Sequence, residues 1–168
     1  PLKLSNGSVI SQGDKTITFI NRHIEPYRGC HQFIRAIPGL LALCSDVKIV
    51  IVGNQSGVSY GSDPPKGTSW KNLFLDEIEG SYDNSRVHFT GQMKYTDYLK
   101  LLKLSACHVY LTYPFVLSWS LLEAMSSSLP IVASATPPVK EVIQHGKSGL
   151  LIDFFSSDQL VGAVSNVL

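Results

Sequence analysis

The chain has 168 residues, 44% hydrophobic and 16% charged, with 14 Lys and Arg against 13 Asp and Glu for a net charge of +1. That composition fits one ordinary globular domain with enough apolar residues for a real core. A charge this near zero excludes nucleic acid or an anionic membrane surface as a partner held by bulk electrostatics, so any anion binding must be local.

In chain order, residues 1–13 read as a linker or tail, and the domain is expected over residues 14–168. Apolar runs of strand length then alternate with segments of helical period. Residues 16–21 (TITFIN) and 47–53 (VKIVIVG) are β-branched and strand-like. Between them, Phe33, Ile34, Ile37, Leu40 and Leu41 fall at helical spacing, with Pro38 and Gly39 expected to kink or interrupt the helix. Residues 54–69 (NQSGVSYGSDPPKGTS) break the rhythm. A loop of this length inside a compact domain is a functional or mobile segment, or a tolerated surface insertion.

The alternation resumes with a helix ending at Gly80, a strand in RVHFTG, a helix in YTDYLKLLKLS and a strand in CHVYLTY. SLLEAMSSS then predicts a helix, PIVAS a strand, VKEVIQHG a helix and GLLIDF a strand, with a last helix from about Ser157. Near-continuous apolar strands imply that both sheet faces are covered. The expected fold is α/β, a Rossmann-like doubly wound parallel sheet of about six strands with helices on both faces. Ligands of such folds sit beyond the carboxyl ends of the strands, where strand order reverses.

Three cysteines, Cys30, Cys44 and Cys107, have no paired spacing, which fits a reducing, cytoplasmic setting. No apolar run reaches the roughly 18 residues of a membrane span, and the N-terminus lacks a signal-peptide pattern. Peripheral contact with the inner membrane face stays open. The five histidines form no metal-spaced cluster, so no metal and no cofactor is expected.

Two groups after strands carry chemistry. In NRHIEPYRG, Arg22 follows a strand and Arg28 precedes a turn glycine and a helix; two guanidiniums there suit a phosphate. The bland alternative is a pair of solvated arginines with Glu25 as an ion-pair partner. In PFVLSWSLLEAM, residues 118–120 can begin a helix whose first N–H groups point at the strand ends. Leu117, Leu121 and Met125 should face the core. Glu123, off that stripe, is either the acid of a capping box over residues 120–123 or a ligand contact accepting ribose hydroxyls. Gly91, after a strand, allows close approach of a planar base or is simply a turn glycine.

With these residues placed, the sequence resembles the C-terminal, donor-binding half of a retaining glycosyltransferase of family 4 (group 1), with the two-domain GT-B fold. The resemblance rests on SLLEAMSSSLPIVAS, on the spacing of Glu141, Gly146, Gly149 and Leu151, on NRHIEPYRG and on VHFTG. It implies that Arg22 and Arg28 stabilise the diphosphate of a nucleotide sugar as its catalytic cations. It further implies that Gly91, Ser118, Trp119, Leu122 and Glu123 bind the nucleotide, with Glu123 on the ribose. The implied reaction is transfer of a sugar, from UDP or GDP, to a glycan or lipid-linked acceptor in polysaccharide or glycolipid synthesis. The acceptor would sit on an N-terminal half absent from this chain, so the isolated domain is expected to bind nucleotide and transfer little sugar.

Three positions depart from the family pattern. Phe115 stands where a first Glu usually contacts the donor sugar, Arg28 where Lys is general, and Ser128 where Gly usually follows the helix. The competing readings are a non-catalytic nucleotide-binding relative with an assembly or regulatory role, and a dehydrogenase. The lack of GxGxxG after the first strand argues against the latter.

Overall fold

The structure, a computed structural model, describes residues 1–114 and 116–168. The chain forms β1 (Leu2–Lys3), β2 (Val9–Ile10), β3 (Thr16–His23), α1 (Cys30–Ala42), β4 (Lys48–Asn54), α2 (Trp70–Asp76), β5 (Val87–Gly91) and α3 (Tyr95–Leu104). It continues through β6 (Cys107–Tyr110), α4 (Trp119–Ser126), β7 (Ile131–Ser134), α5 (Pro137–Lys140), β8 (Leu150–Ile152) and α6 (Ser157–Ser165). Six strands make one sheet in the order β5-β4-β3-β6-β7-β8, and every pairing within it is parallel. This is the doubly wound α/β sheet read from the sequence.

Side chains of a strand alternate between faces, and here both faces are apolar. Ile17, Phe19, Ile49, Ile51, Cys107, Val109 and Val132 meet α1, α2 and α6 on one side. Ile20, Val50, Val52, Tyr110, Ile131 and Ala133 meet α3 and α4 on the other. Phe19 and Phe33 stack at 4.4 Å between ring centroids, which locks α1 onto the sheet.

Two expectations need correction. Residues 1–13, read as a linker or tail, hold the antiparallel hairpin of β1 and β2, and Leu2, Leu4 and Ile10 are buried in the core that α3 and α4 cover. Three apolar anchors outweigh a stretch otherwise rich in turn residues. Pro38 and Gly39 were expected to kink or interrupt the first helix; α1 is not interrupted and runs through both. A proline inside a helix costs about 3 kcal/mol, and burial of Phe33, Ile34, Ile37, Leu40 and Leu41 exceeds that. Gly39 also lets α6 approach, since a Cβ there would lie 2.8 Å from Cγ2 of Val161.

Candidate functional site

Strand order reverses between β3 and β6, where the chain first winds outward through β4 and β5 and then through β7 and β8. A cleft of about 470 Å³ lies beyond the carboxyl ends of these two strands, the place where parallel sheets bind ligands. Its lining includes Asn21, Arg22, Glu25 and Arg28 from the β3 side, Ser118, Trp119 and Ser120 from the start of α4, and Tyr60 and Tyr98. The structure thus brings Arg22, Arg28, Ser118 and Trp119 into one cavity.

The local fold explains how. After β3 the chain makes a 3-10 turn over Pro26–Arg28, with proline at its start, and enters α1 through Gly29 at φ +70°. A Cβ at Gly29 would meet Cβ of Leu111 at 2.4 Å. Only glycine lets the turn press against the end of β6, and that contact carries Arg28 into the base of the cleft. Arg28 is 6% exposed. The two N–H groups of one terminal nitrogen are shared among the Tyr110 hydroxyl (3.3 Å), the Thr112 hydroxyl (3.1 Å) and the Val116 carbonyl (3.0 Å). The Tyr60 ring faces its guanidinium at 5.1 Å. Arg22 is exposed. The alternative of two solvated arginines therefore fails for Arg28, a fixed, dehydrated cation.

At α4 the capping box over residues 120–123 is not formed. Ser118 is the N-cap, its side chain accepting from the Ser120 N–H at 3.2 Å. The Ser118 N–H donates to the Tyr110 hydroxyl at 3.0 Å. Of the helix-start donors, those of Ser118 and Ser120 are thus engaged within the protein, while Trp119 opens the helix at its first position, where no intrahelical acceptor exists. Glu123 sits a turn further along, and its carboxylate accepts from the hydroxyls of Tyr95 (2.8 Å) and Tyr98 (2.6 Å). Burial first, then the Glu123 carboxylate, pushes the Tyr98 phenol well above the usual tyrosine range; the hydrogen bond to Glu123 raises Tyr95 as well. Both phenols remain donors. Leu117 and Met125 pack against the same core as the fully buried Leu121.

Glu25 does not act as the ion-pair partner expected for solvated arginines. It is fully buried, and its Oε2 accepts from three successive backbone N–H groups, those of Ser59 (3.0 Å), Tyr60 (3.1 Å) and Gly61 (3.4 Å). His23 adds a 2.6 Å hydrogen bond to Ser59, and Lys71 one of 2.6 Å to Gln55. The loop between β4 and α2 is thereby tied to the end of β3 and forms a wall of the cleft. Asn21, Glu25, Tyr60, Tyr95 and Tyr98 were not singled out as site residues in the sequence. The signals were the nearness of Asn21 and Glu25 to the two arginines and, for Tyr60, its place in the loop over residues 54–69.

Gly91 ends the edge strand β5 at φ +68°, with open space where a Cβ would stand. Gly91, Leu122, which is 38% exposed on α4, and Glu123 do not line this cleft; Glu123 reaches it only through its hydrogen bond to Tyr98, which does. Phe115 lies outside the described residues. A second cleft of about 440 Å³, walled by Met125, Ser128, Pro130 and residues 146–150, opens at the amino ends of β7 and β8. That is the end of a parallel sheet where ligands are not expected. Among the described residues no three metal-binding side chains converge, and no helix is long and apolar enough to cross a membrane.

The profile of the family "Glycosyl transferases group 1" matches residues 3–168. The chain belongs to this family. An uncharacterized glycosyltransferase of Methanocaldococcus jannaschii is 28% identical over 145 residues, 86% of this chain and 33% of that protein. The chain spans about a third of the length of the curated relatives it matches. Among solved structures, HepE of Anabaena in complex with UDP-glucose superposes with a TM-score of 0.69 at 19% identity, over 92% of this chain and 39% of that one. The C-terminal domain of a glycosyl transferase group 1 family protein (LpcC) of Francisella tularensis gives 0.72 at 20% identity, over 90% and 73%. At such identities the likeness is one of fold, that of a C-terminal GT-B domain.

Proposed function

We propose that this chain is the donor-binding domain of a glycosyltransferase that takes a nucleoside diphosphate sugar and, with an N-terminal half, transfers its sugar to a glycan or lipid-linked acceptor with retention of configuration. The observation that carries the reading is the convergence of Arg22 and Arg28 with the start of α4 in one cleft at the strand-order reversal. When the bond between the anomeric carbon and the diphosphate breaks, negative charge grows on the leaving phosphate. A buried arginine already fixed by three acceptors needs no reorganisation to meet that charge, which is how a preorganised site lowers a barrier. Arg22 at the rim adds a second fork of donors. Glu123, oriented by two tyrosines, has acceptor capacity left for the ribose hydroxyls. The relative solved with UDP-glucose supports this choice of ligand.

A thermal-shift titration of the chain with UDP, GDP, ADP, their sugars and NAD tests the reading. Saturation at about 100 times the dissociation constant stabilises a fold by about 2.7 kcal/mol, so one nucleoside diphosphate and its sugar should raise the melting temperature clearly. Stabilisation by NAD alone would overturn it.

A further inference from the structure

Within the donor-site reading, on which this inference rests, we propose that Asn21 and Glu25 hydrogen-bond the hydroxyls of the transferred sugar. Two polar atoms in the cleft wall are buried without a partner: Oε1 of Glu25 and Nδ2 of Asn21. Both residues line the same cavity as the two arginines. Buried polar groups in folded proteins are paired almost without exception, because an orphan forfeits its hydration for nothing. A pair of orphans on two residues that wall one cleft therefore marks the chemistry of what that cleft takes in when it adjusts to a ligand.

One orphan is an acceptor and the other a donor. A phosphate oxygen satisfies only the donor and is repelled by the carboxylate, whereas a hydroxyl donates to one and accepts from the other. Glu123 and its tyrosines take the ribose in the reading above. The hydroxyl-rich group on the other side of the diphosphate is the sugar itself. The Glu25 carboxylate is also fixed in orientation, since Oε2 is held by three consecutive N–H groups of the loop wall. A pre-aimed acceptor of this kind discriminates between sugars by where their hydroxyls stand.

The test is a calorimetric titration of the wild-type chain, Glu25→Gln and Asn21→Ala with UDP, UDP-glucose, UDP-galactose, UDP-N-acetylglucosamine, GDP and GDP-mannose. Glu25→Gln keeps an acceptor for the loop and turns the unpaired oxygen into a donor. Asn21→Ala leaves the loop untouched. For the preferred nucleotide sugar, affinity should fall about tenfold in Glu25→Gln and about threefold in Asn21→Ala, while affinity for the bare diphosphate stays within about twofold. Equal losses for diphosphate and nucleotide sugar would overturn the proposal, leaving Glu25 as support for the loop, and so would unchanged binding in both variants. Failure of every nucleotide to bind the wild-type chain would instead defeat the donor-site reading itself, and this proposal with it.

Discussion

The Tyr98 hydroxyl donates a 2.6 Å hydrogen bond to Oε2 of Glu123, joining α3 to α4 at the edge of the cleft. The one acid of α4 is thus not the acid of a capping box; its partly exposed carboxylate is held by two tyrosine hydroxyls. It is held at a set angle by the phenol of the buried Tyr98, with Tyr95 on its other oxygen.

Tyr98→Phe removes that bond and leaves the ring. Hydrogen bonds to charged groups contribute about 1.5–3 kcal/mol, and this one is partly shielded from water, so urea unfolding should show a loss near the lower end of that range. Nucleoside diphosphate affinity should fall as well, because Glu123 loses its orientation. A variant with parent-like stability and affinity would mean that the carboxylate is set by the helix alone.

His108 makes stability depend on pH. It is fully buried on β6, with Thr18 at 3.1 Å, and burial pushes its imidazole down to about 3. The unfolded chain takes up that proton near pH 6.5 and the folded protein only near 3, so between these values the unfolded state holds more protons. Stability therefore falls as pH drops from about 6.5, by up to about 1.4 kcal/mol per pH unit from this one residue. His31 and His88, both also lowered by burial, act in the same direction. Melting curves between pH 7 and 4 should show a shallower decline for His108→Leu than for the parent; equal slopes would contradict the assignment.

Two backbone positions give opposite outcomes. Ser128 has φ +56°, among the described residues the one non-glycine in the left-handed region. Ser128→Gly should raise stability by about 1 kcal/mol by relieving that strain. Gly29→Ala should lower it by about 2 kcal/mol or more, since the added methyl meets Leu111 at 2.4 Å in a left-handed conformation. Differential scanning calorimetry of the pair reads both signs.

Much of this fold was legible because its strands are buried on both faces and its helices are amphipathic. TITFIN, VKIVIVG and CHVYLTY are short apolar runs rich in β-branched or aromatic residues, the pattern of strands covered on both faces, and they form the three strands at the centre of the parallel sheet. The Ser128 departure was also visible as a residue standing where glycine is usual, and it carries a positive φ. The hairpin of residues 2–10 was not legible, since strands of two residues carry no periodicity and three leucine or isoleucine anchors among turn residues resemble a tail. The path of α1 through Pro38 was missed for a related reason: local propensity was overridden by packing on α6. In the site, Arg22, Arg28, Ser118 and Trp119 could be placed because they lie between the ends of predicted strands and the starts of the helices that follow. Glu25 and the tyrosines around Glu123 could not, because their roles depend on which way a side chain turns once distant segments meet, residues 28 positions apart for Tyr95 and 36 for Gly61.

The central claim is that the cleft between the ends of β3 and β6 holds the diphosphate. Backbone amide NMR spectra of the 18.4 kDa chain, recorded during titration with UDP and with GDP, test it most directly. One of the two should shift the amides of Arg22, Tyr60, Ser118 and Trp119 together and saturably, with the shifts abolished in Arg22→Ala. Shifts centred instead on Ser128 and residues 146–150, or no shifts with either diphosphate, would contradict the account.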